Sequence, residues 1–164
     1  NGVSKSHAMT GWRIGYIASD DMELVKAMDN LQSHSTSNPT TISQMAAIEA
    51  LKTDPAIVNK MVAEFDKRRK YILQRVNAIP GLTCVEPEGA FYVFPNFSAL
   101  TGKTFNGVKI ENSMNLADAL LTSAKVAVVP GVAFGSDVHF RVSYATSMEK
   151  IEKGLNRIEE FFKG

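Results

Sequence analysis

Apolar residues between positions 22 and 31 recur every three to four residues, which is the spacing of one face of an α-helix. Asp20 and Asp21 precede this stretch. Aspartate favours a helix start because it caps free backbone N–H groups and complements the positive end of the helix dipole. We therefore predict a helix that begins at these two residues and ends near Ser33. Its predicted apolar face contains Met22, Leu24, Val25, Met28 and Leu31.

Two further stretches show the same helical spacing. The first follows the polar segment 34–40, in which Pro39 predicts a turn, and it ends near Lys52. The second begins at Asp54-Pro55, where the aspartate suits the cap and the proline suits the first helical position. It is predicted to end before Pro80. The apolar positions are Ile42, Met45, Ala46, Ile48, Ala50 and Leu51 in the first helix, and Ile57, Val58, Met61, Val62, Phe65, Ile72, Leu73 and Val76 in the second.

From Leu82 onward, short apolar segments alternate with turn residues. This pattern predicts strands over residues 82–85 and 91–94 around the turn Pro87-Glu88-Gly89. A polar, glycine-containing loop is predicted over residues 101–112, and a helix begins near Leu116. A short apolar strand over residues 126–129 is predicted to stop at Pro130-Gly131.

The end of the chain combines a strand with a helix. Residues 138–144 alternate, so that Val138, Phe140, Val142 and Tyr144 share one face and His139, Arg141 and Ser143 share the other. Ser147 is predicted to cap a final amphipathic helix with apolar positions at Ile151, Leu155, Ile158, Phe161 and Phe162. Helices followed by strands mixed with helices predict an α+β domain of two layers, preceded by the last edge of another domain.

The composition narrows the class of protein. The chain has 164 residues, of which 45% are hydrophobic and 21% charged, and this is enough for one ordinary globular core. A net charge of +1 gives no indication of nucleic-acid or membrane binding. The single Cys84 cannot form an internal disulfide, and no Cys/His spacing matches a metal site. With no transmembrane-length apolar run and no signal peptide, we expect a soluble, cytoplasmic protein.

Candidate chemistry is concentrated in the first sixteen residues. Lys5 is predicted to lie in a short polar loop, and Arg13 follows it just before an apolar run, 14–18, that predicts a buried strand. A lysine amine can form an imine with an aldehyde, and an arginine offers a planar fork of donors that matches a phosphate. An imine-forming amine together with a phosphate-binding guanidinium is what a protein needs to hold pyridoxal 5′-phosphate (PLP).

The same segment resembles the cofactor-lysine signature of class I aminotransferases, which are fold-type I PLP-dependent enzymes. The matching residues are Ser4-Lys5 and Met9-Thr10-Gly11-Trp12-Arg13-Ile14-Gly15-Tyr16. The resemblance is strongest to the prokaryotic aspartate aminotransferases. It implies that Lys5 is the Schiff-base lysine and that Arg13 binds the cofactor phosphate. One departure is Gly2, because many family members have a serine there that also contacts the phosphate.

A second matching segment contains Arg141. An arginine within so apolar a strand needs an anionic partner, since an unpaired charge is costly to bury. The segment Phe140-Arg141-Val142-Ser143-Tyr144-Ala145 resembles the family segment whose arginine binds the substrate α-carboxylate. The resemblance therefore implies that Arg141 is the substrate anchor. The alternative is an edge-strand arginine in a salt bridge. The segment 89–92 likewise resembles the strand that reaches the substrate entrance.

The resemblance also implies a domain organisation. It covers essentially the whole chain but only the C-terminal part of the family pattern, so we expect a piece of a longer polypeptide. Residues 1–33 would end the large PLP-binding domain, 34–80 would form interdomain helices, and 81–164 would form the small α+β domain of this α/β fold. The family implies a homodimer in which the polar segment 34–40 lies near the partner subunit.

The function implied is PLP-dependent transamination between an amino acid, with aspartate favoured, and a 2-oxo acid. Groups that contact the cofactor ring precede the lysine in the family, so the isolated chain is expected to bind PLP poorly without the missing N-terminal portion. Two alternatives remain open. The chain could be a non-catalytic fragment or dimerisation half, or it could belong to a PLP-dependent lyase or synthase of the same fold.

Overall fold

The computed structural model describes residues 1–164, and their contacts divide into two compact units, Asn1–Met61 and Val62–Gly164. We describe each unit by itself. The division falls within a single long helix, whereas the three ranges expected from the sequence place boundaries at 33 and 80. Those ranges stay a prediction. None of the helices combines the length and the apolar character that a membrane span needs.

The first unit is helical. Its elements are α1 (Val3–Ser6), a 3-10 turn (Thr10–Trp12), α2 (Met22–Ser35), α3 (Thr41–Lys52) and the beginning of α4 (Pro55–Ala78). The Asp21 side chain accepts a hydrogen bond of 2.9 Å from the Leu24 N–H and so caps α2. The predictions for α2, α3 and α4 are confirmed within two residues at each end.

The buried contacts of this unit differ from those expected. Val3 packs with Ala47 and Ala50, and Met9 and Ile14 border this small cluster. The face of α3 that is buried therefore consists of small residues rather than the large apolar ones. The large residues predicted to be buried on α2 and α3 are instead exposed, namely Met22, Leu24, Met28, Leu31, Ile42, Met45, Ile48 and Leu51.

The strand predicted over residues 14–18 is wrong. These residues have no regular secondary structure, and most of them are exposed. A strand is stable only when a neighbouring strand satisfies its backbone groups. In this unit only Asn1 and Tyr16 pair in that manner, with N···O distances of 2.8 and 2.9 Å, so no ladder extends through the segment.

The second unit combines helices with two small antiparallel sheets. Its strands are β1 (Tyr92–Val93), β2 (Thr104–Phe105), β3 (Val108–Lys109), β4 (Val129–Pro130) and β5 (Phe140–Ser143), and its helices after α4 are α5 (Ser113–Thr122) and α6 (Met148–Phe161). The main sheet has the order β1-β5-β4, so β5 is central. Tyr92 pairs with Ser143 across β1 and β5, and Val129 pairs with Arg141 across β4 and β5.

One hydrophobic core fills this unit. Residues from α4, the sheet, α5 and α6 meet in it, and Phe97, Ile72, Ile110, Leu116 and Leu120 are fully buried. Ser147 caps α6 by accepting a 3.4 Å hydrogen bond from the Lys150 N–H, and the predicted apolar stripe of α6 is buried at Ile151, Leu155, Ile158 and Phe161. The alternation predicted for residues 138–144 is confirmed only in part. Phe140 and Tyr144 are buried, but Val138 is exposed and the strand covers only Phe140–Ser143.

The strand and loop predictions between residues 82 and 129 need correction. Residues 101–112 contain the β2–β3 hairpin rather than an irregular loop. Its two turn residues, Asn106 and Gly107, have φ of 49° and 79°, which is the left-handed pair that a type I′ turn requires. Only Thr83 of the predicted strand 82–85 pairs, through a single bridge to Asn96. Only Val129 of the predicted strand 126–129 lies in β4.

We expect Gly154→Ala to stabilise the second unit. Gly154 lies inside α6, borders a cavity of about 150 Å³, and has no atom within 4 Å of the position that a Cβ would occupy. Alanine removes the entropic cost of glycine in a helix interior, so the free energy of unfolding should rise by about 1 kcal/mol in urea titrations. Gly135→Ala is the matched control. It also meets open space, but its φ of 82° should make alanine destabilising.

Candidate active-site segments

Lys5 lies on the short helix α1 rather than in the loop predicted from the sequence, and Val3 anchors this helix. Val3 is 1% exposed and packs against Ala47 and Ala50 of α3, whereas Lys5 is exposed. The alternation of a buried valine and an exposed lysine in one helical turn keeps the amine at the surface of the first unit. The Lys5 side chain is therefore exposed to solvent.

Arg13 ends the 3-10 turn that follows α1. Its backbone is left-handed with φ of 49°, and its Nη1 donates a 2.9 Å hydrogen bond to the Thr10 carbonyl oxygen. Ala8, on the other side of the turn, is also left-handed with φ of 54°. Non-glycine residues rarely adopt this conformation, and such strained positions concentrate at functional sites. The remaining guanidinium donors of Arg13 suit an anionic group such as a phosphate.

Ser43 positions this turn, a role that the sequence analysis missed. Its hydroxyl is buried and donates a 2.8 Å hydrogen bond to the Trp12 carbonyl oxygen, and it accepts a 3.0 Å bond from the Thr40 hydroxyl. The N-terminus of α3 therefore holds the backbone just before Arg13. A signal was available, because Ser43, Ala47 and Ala50 form a stripe of small residues at helical spacing.

The close packing around Gly2 accounts in part for a glycine at the position where many family members have serine. A Cβ at this position would lie 3.3 Å from the Ile14 carbonyl oxygen and 3.4 Å from the Gly15 Cα. The chain therefore approaches residues 14 and 15 closely at this point, and a serine would require a small local shift. Of the groups that are present, the amine of Lys5 suits the aldehyde of PLP as a nucleophile, and the guanidinium of Arg13 suits its phosphate as a hydrogen-bond donor.

Arg141 lies on the central strand of the second unit. Its Cζ is 4.3 Å from the centroid of the Tyr92 ring and 4.5 Å from that of Phe134. No carboxylate of this unit forms a salt bridge with it. The alternative of an edge-strand arginine in a salt bridge therefore fails on both counts, since β5 is central and the neighbours of the guanidinium are rings.

Phe134 lies on a turn that polar contacts hold in place. Asp137 accepts hydrogen bonds from the Ser113 N–H at 2.9 Å and from its hydroxyl at 2.7 Å, and the Ser113 oxygen accepts one from the Val132 N–H at 3.1 Å. These bonds join the start of α5 to the 3-10 turn Gly131–Phe134. The Ser113 hydroxyl and N–H together hold the pKa of Asp137 below its usual value.

This carboxylate should make the stability of the second unit depend on pH. Because the folded pKa of Asp137 is below the unfolded value of about 4, its contribution is present above that value and is lost as pH falls through the folded pKa. We expect Asp137→Asn to lower the free energy of unfolding at pH 7, and the difference from the parent chain to shrink steadily below about pH 4. Urea titrations at several pH values measure this difference, and a gap independent of pH would contradict it.

Lys5 and Arg13 thus belong to the first unit, and Arg141 belongs to the second. The sequence analysis named all three from motifs. It also pointed to the segment that contains Tyr92, but not to Phe134 or Ser43. The available signal for Phe134 was an aromatic residue four positions after the turn-forming pair Pro130-Gly131, counted from the proline.

The chain is similar in sequence to known proteins along nearly its whole length. The sequence profile described as "Aminotransferase class I and II" matches residues 1–158. An aspartate aminotransferase from Bacillus sp. (strain YM-2) is 49% identical over 164 residues, which are 99% of this chain and 40% of the relative. A probable aspartate/prephenate aminotransferase from Rickettsia prowazekii is 50% identical over 97% of this chain and 40% of its own length.

Solved structures match as well. The aspartate aminotransferase from Rhizobium meliloti superimposes with a TM-score of 0.94 at 44% identity, over 99% of this chain and 41% of that one. The aromatic aminotransferase from Pyrococcus horikoshii gives a TM-score of 0.87 at 40% identity, over 99% and 42%. The chain therefore spans about two fifths of the length of these proteins, and it has the fold of the C-terminal portion of fold-type I enzymes. From the profile match and these relatives together, the chain belongs to the class I and II aminotransferases.

Proposed function

We propose that this chain contributes to a PLP-dependent aminotransferase, which moves an amino group between an amino acid and a 2-oxo acid. The observation that carries the proposal is the strained segment of the first unit, which presents an exposed amine at Lys5 and an exposed guanidinium at Arg13. Aspartate is the favoured amino acid, because the relatives include aspartate aminotransferases. Class I aminotransferases use PLP, and both groups suit that cofactor.

Each proposed residue has one role. The Nζ of Lys5 would hold the cofactor covalently and then, uncharged, take the proton from the substrate Cα. Arg13 would bind the phosphate through the donors that it does not give to Thr10. Arg141 would bind the substrate carboxylate in a two-pronged contact that fixes the direction of the Cα–H bond. When bound, the cofactor supplies an electron sink for the carbanion.

A hybrid enzyme tests this proposal. In the Bacillus sp. (strain YM-2) aspartate aminotransferase, the 164 matching residues would be replaced by this chain, which is 49% identical to them. We expect the folded hybrid to bind PLP and to convert aspartate with a 2-oxo acid acceptor into the exchanged pair. A folded hybrid without activity would favour a non-catalytic half. Release of other products from the same amino acid would favour a lyase or synthase.

The assembly and location follow from the same proposal. We propose a homodimer that includes the missing N-terminal portion and acts in amino acid metabolism in the cytoplasm. The exposed apolar residues of α2 and α3 provide surface that other parts of such an assembly could bury. Light scattering of the hybrid after size-exclusion chromatography distinguishes a dimer from a monomer.

A further inference from the structure

We propose that Tyr92 and Phe134 are positioning residues that hold the guanidinium of Arg141 between their rings and leave its N–H donors available to a carboxylate. This inference rests on the proposed function, because it concerns the group assigned to substrate binding. We call the three residues the arginine clamp. Its parts come from β1, from the turn after β4 and from β5.

The register of the sheet explains how Tyr92 reaches the arginine. Tyr92 pairs with Ser143, so Arg141 is its diagonal neighbour two residues away along β5. Diagonal neighbours on one face of an antiparallel pair are within reach of aromatic and long side chains. The Cζ of Arg141 accordingly lies 4.3 Å from the ring centroid, well inside the range of a cation–π contact.

Phe134 approaches from a different part of the unit. Val129 of β4 pairs with Arg141, and the chain then turns through Gly131–Phe134 so that the Phe134 ring lies 4.5 Å from the same Cζ. Phe134 packs edge-on against Phe94 with centroids 5.9 Å apart. Tyr92 instead packs against Phe91 at 4.4 Å. Each ring thus has its own aromatic support, which limits the motion of the clamp.

Aromatic rings, unlike a carboxylate, can flank the guanidinium of Arg141 without occupying its N–H donors. A carboxylate neighbour would occupy the forked N–H donors of Arg141, and an incoming substrate would have to displace it. An aromatic face attracts the cation through its quadrupole and uses none of these donors. Arg141 forms no salt bridge within its unit, so the rings stabilise its charge while the donor edge stays available for a planar, two-pronged contact.

The test measures propionate binding to the 164-residue chain, together with the order of the Arg141 side chain by NMR of its Nε–H group. Tyr92→Leu and Phe134→Leu remove a ring, whereas Tyr92→Phe and Phe134→Tyr keep one. Phe105→Leu is the matched control, since Phe105 packs against Phe161 and Phe162. We expect each ring-removing variant to weaken propionate binding about three-fold and to lower the order of the Nε–H group. The ring-keeping and control variants should behave as the parent chain does.

The outcomes separate the two proposals. If Arg141→Met binds propionate as well as the parent chain, the assignment of Arg141 as carboxylate anchor fails. If Arg141→Met abolishes binding but both leucine variants match the parent in affinity and in Nε–H order, the clamp is refuted. The NMR order parameter of the Arg141 Nε–H group tests the clamp even where propionate binding is too weak to saturate. Backbone amide spectra confirm that each variant is folded.

Discussion

Replacing Lys5 by alanine in the hybrid enzyme is expected to lower the rate of transamination by about 10³-fold or more. The variant loses the amine that would hold the cofactor covalently and also the base that would take the Cα proton, and acid–base catalysis alone is worth about 10²- to 10⁴-fold. Steady-state rates with aspartate measure the loss. The absorbance of the imine between protein and cofactor should disappear in the same variant.

Lys26→Ala is the matched control for this change. Lys26 is an exposed lysine on α2 of the same unit, so its loss removes an equal charge at a site without proposed chemistry. We expect its rate and imine absorbance to equal those of the unsubstituted hybrid. Turnover by Lys5→Ala comparable to that of Lys26→Ala would show that the nucleophile lies elsewhere.

Gly131→Ala is expected to destabilise the second unit by about 3 kcal/mol, at the upper end of the usual cost of overpacking. A Cβ at Gly131 would lie 2.3 Å from the carbonyl oxygens of His139 and Ser136. Both obstacles are backbone atoms, so no side-chain rotation can relieve the overlap. The Gly131 N–H also donates a 2.9 Å hydrogen bond to the His139 carbonyl oxygen, and this bond would stretch as the two segments separate.

Urea unfolding followed by far-ultraviolet circular dichroism measures this loss. Gly89→Ala serves as the control, because nothing lies within 4 Å of the Cβ position there and the φ is not left-handed. It should change the free energy of unfolding by less than about 0.5 kcal/mol. Since Gly131 begins the turn that carries Phe134, the variant should also disturb the arginine clamp. Equal stability of both variants would mean that the turn can relax without cost.

Most helices of this protein could be predicted because their signals are local, whereas α1 lies in a segment predicted as a polar loop. Asp21 before α2 and Ser147 before α6 cap the following backbone, and the apolar stripe of α6 is buried as the spacing indicates. The family and the fold of the chain could also be predicted, because the motifs around Lys5 and Arg141 are contiguous in sequence. The roles assigned to these residues stay predictions.

The wrong strand prediction and the missed arginine clamp both depend on long-range pairing. A strand over residues 14–18 needs a neighbouring strand, and the pattern of its own residues cannot show whether one is present. The arginine clamp combines rings from positions 92 and 134 with a cation at position 141, and only the sheet register brings them together. The hairpin at Asn106-Gly107 was the avoidable error, since that dipeptide is a strong local signal for a type I′ turn.

The apolar faces of α2 and α3 illustrate a different limit. Helical spacing places Leu24, Met28 and Leu31 on one side of α2, but it does not say what covers that side. In this chain α2 has no buried residue. A hydrophobic stripe therefore specifies the conformation of a segment more reliably than it specifies its burial.

The left-handed backbone of Arg13 has a consequence for protein engineering. An L-residue in that conformation costs about 1 kcal/mol, which glycine would not incur. Selection for heat resistance should therefore enrich glycine at position 13, whereas selection for turnover should retain the guanidinium. A library screened for both properties would expose this conflict at a single codon.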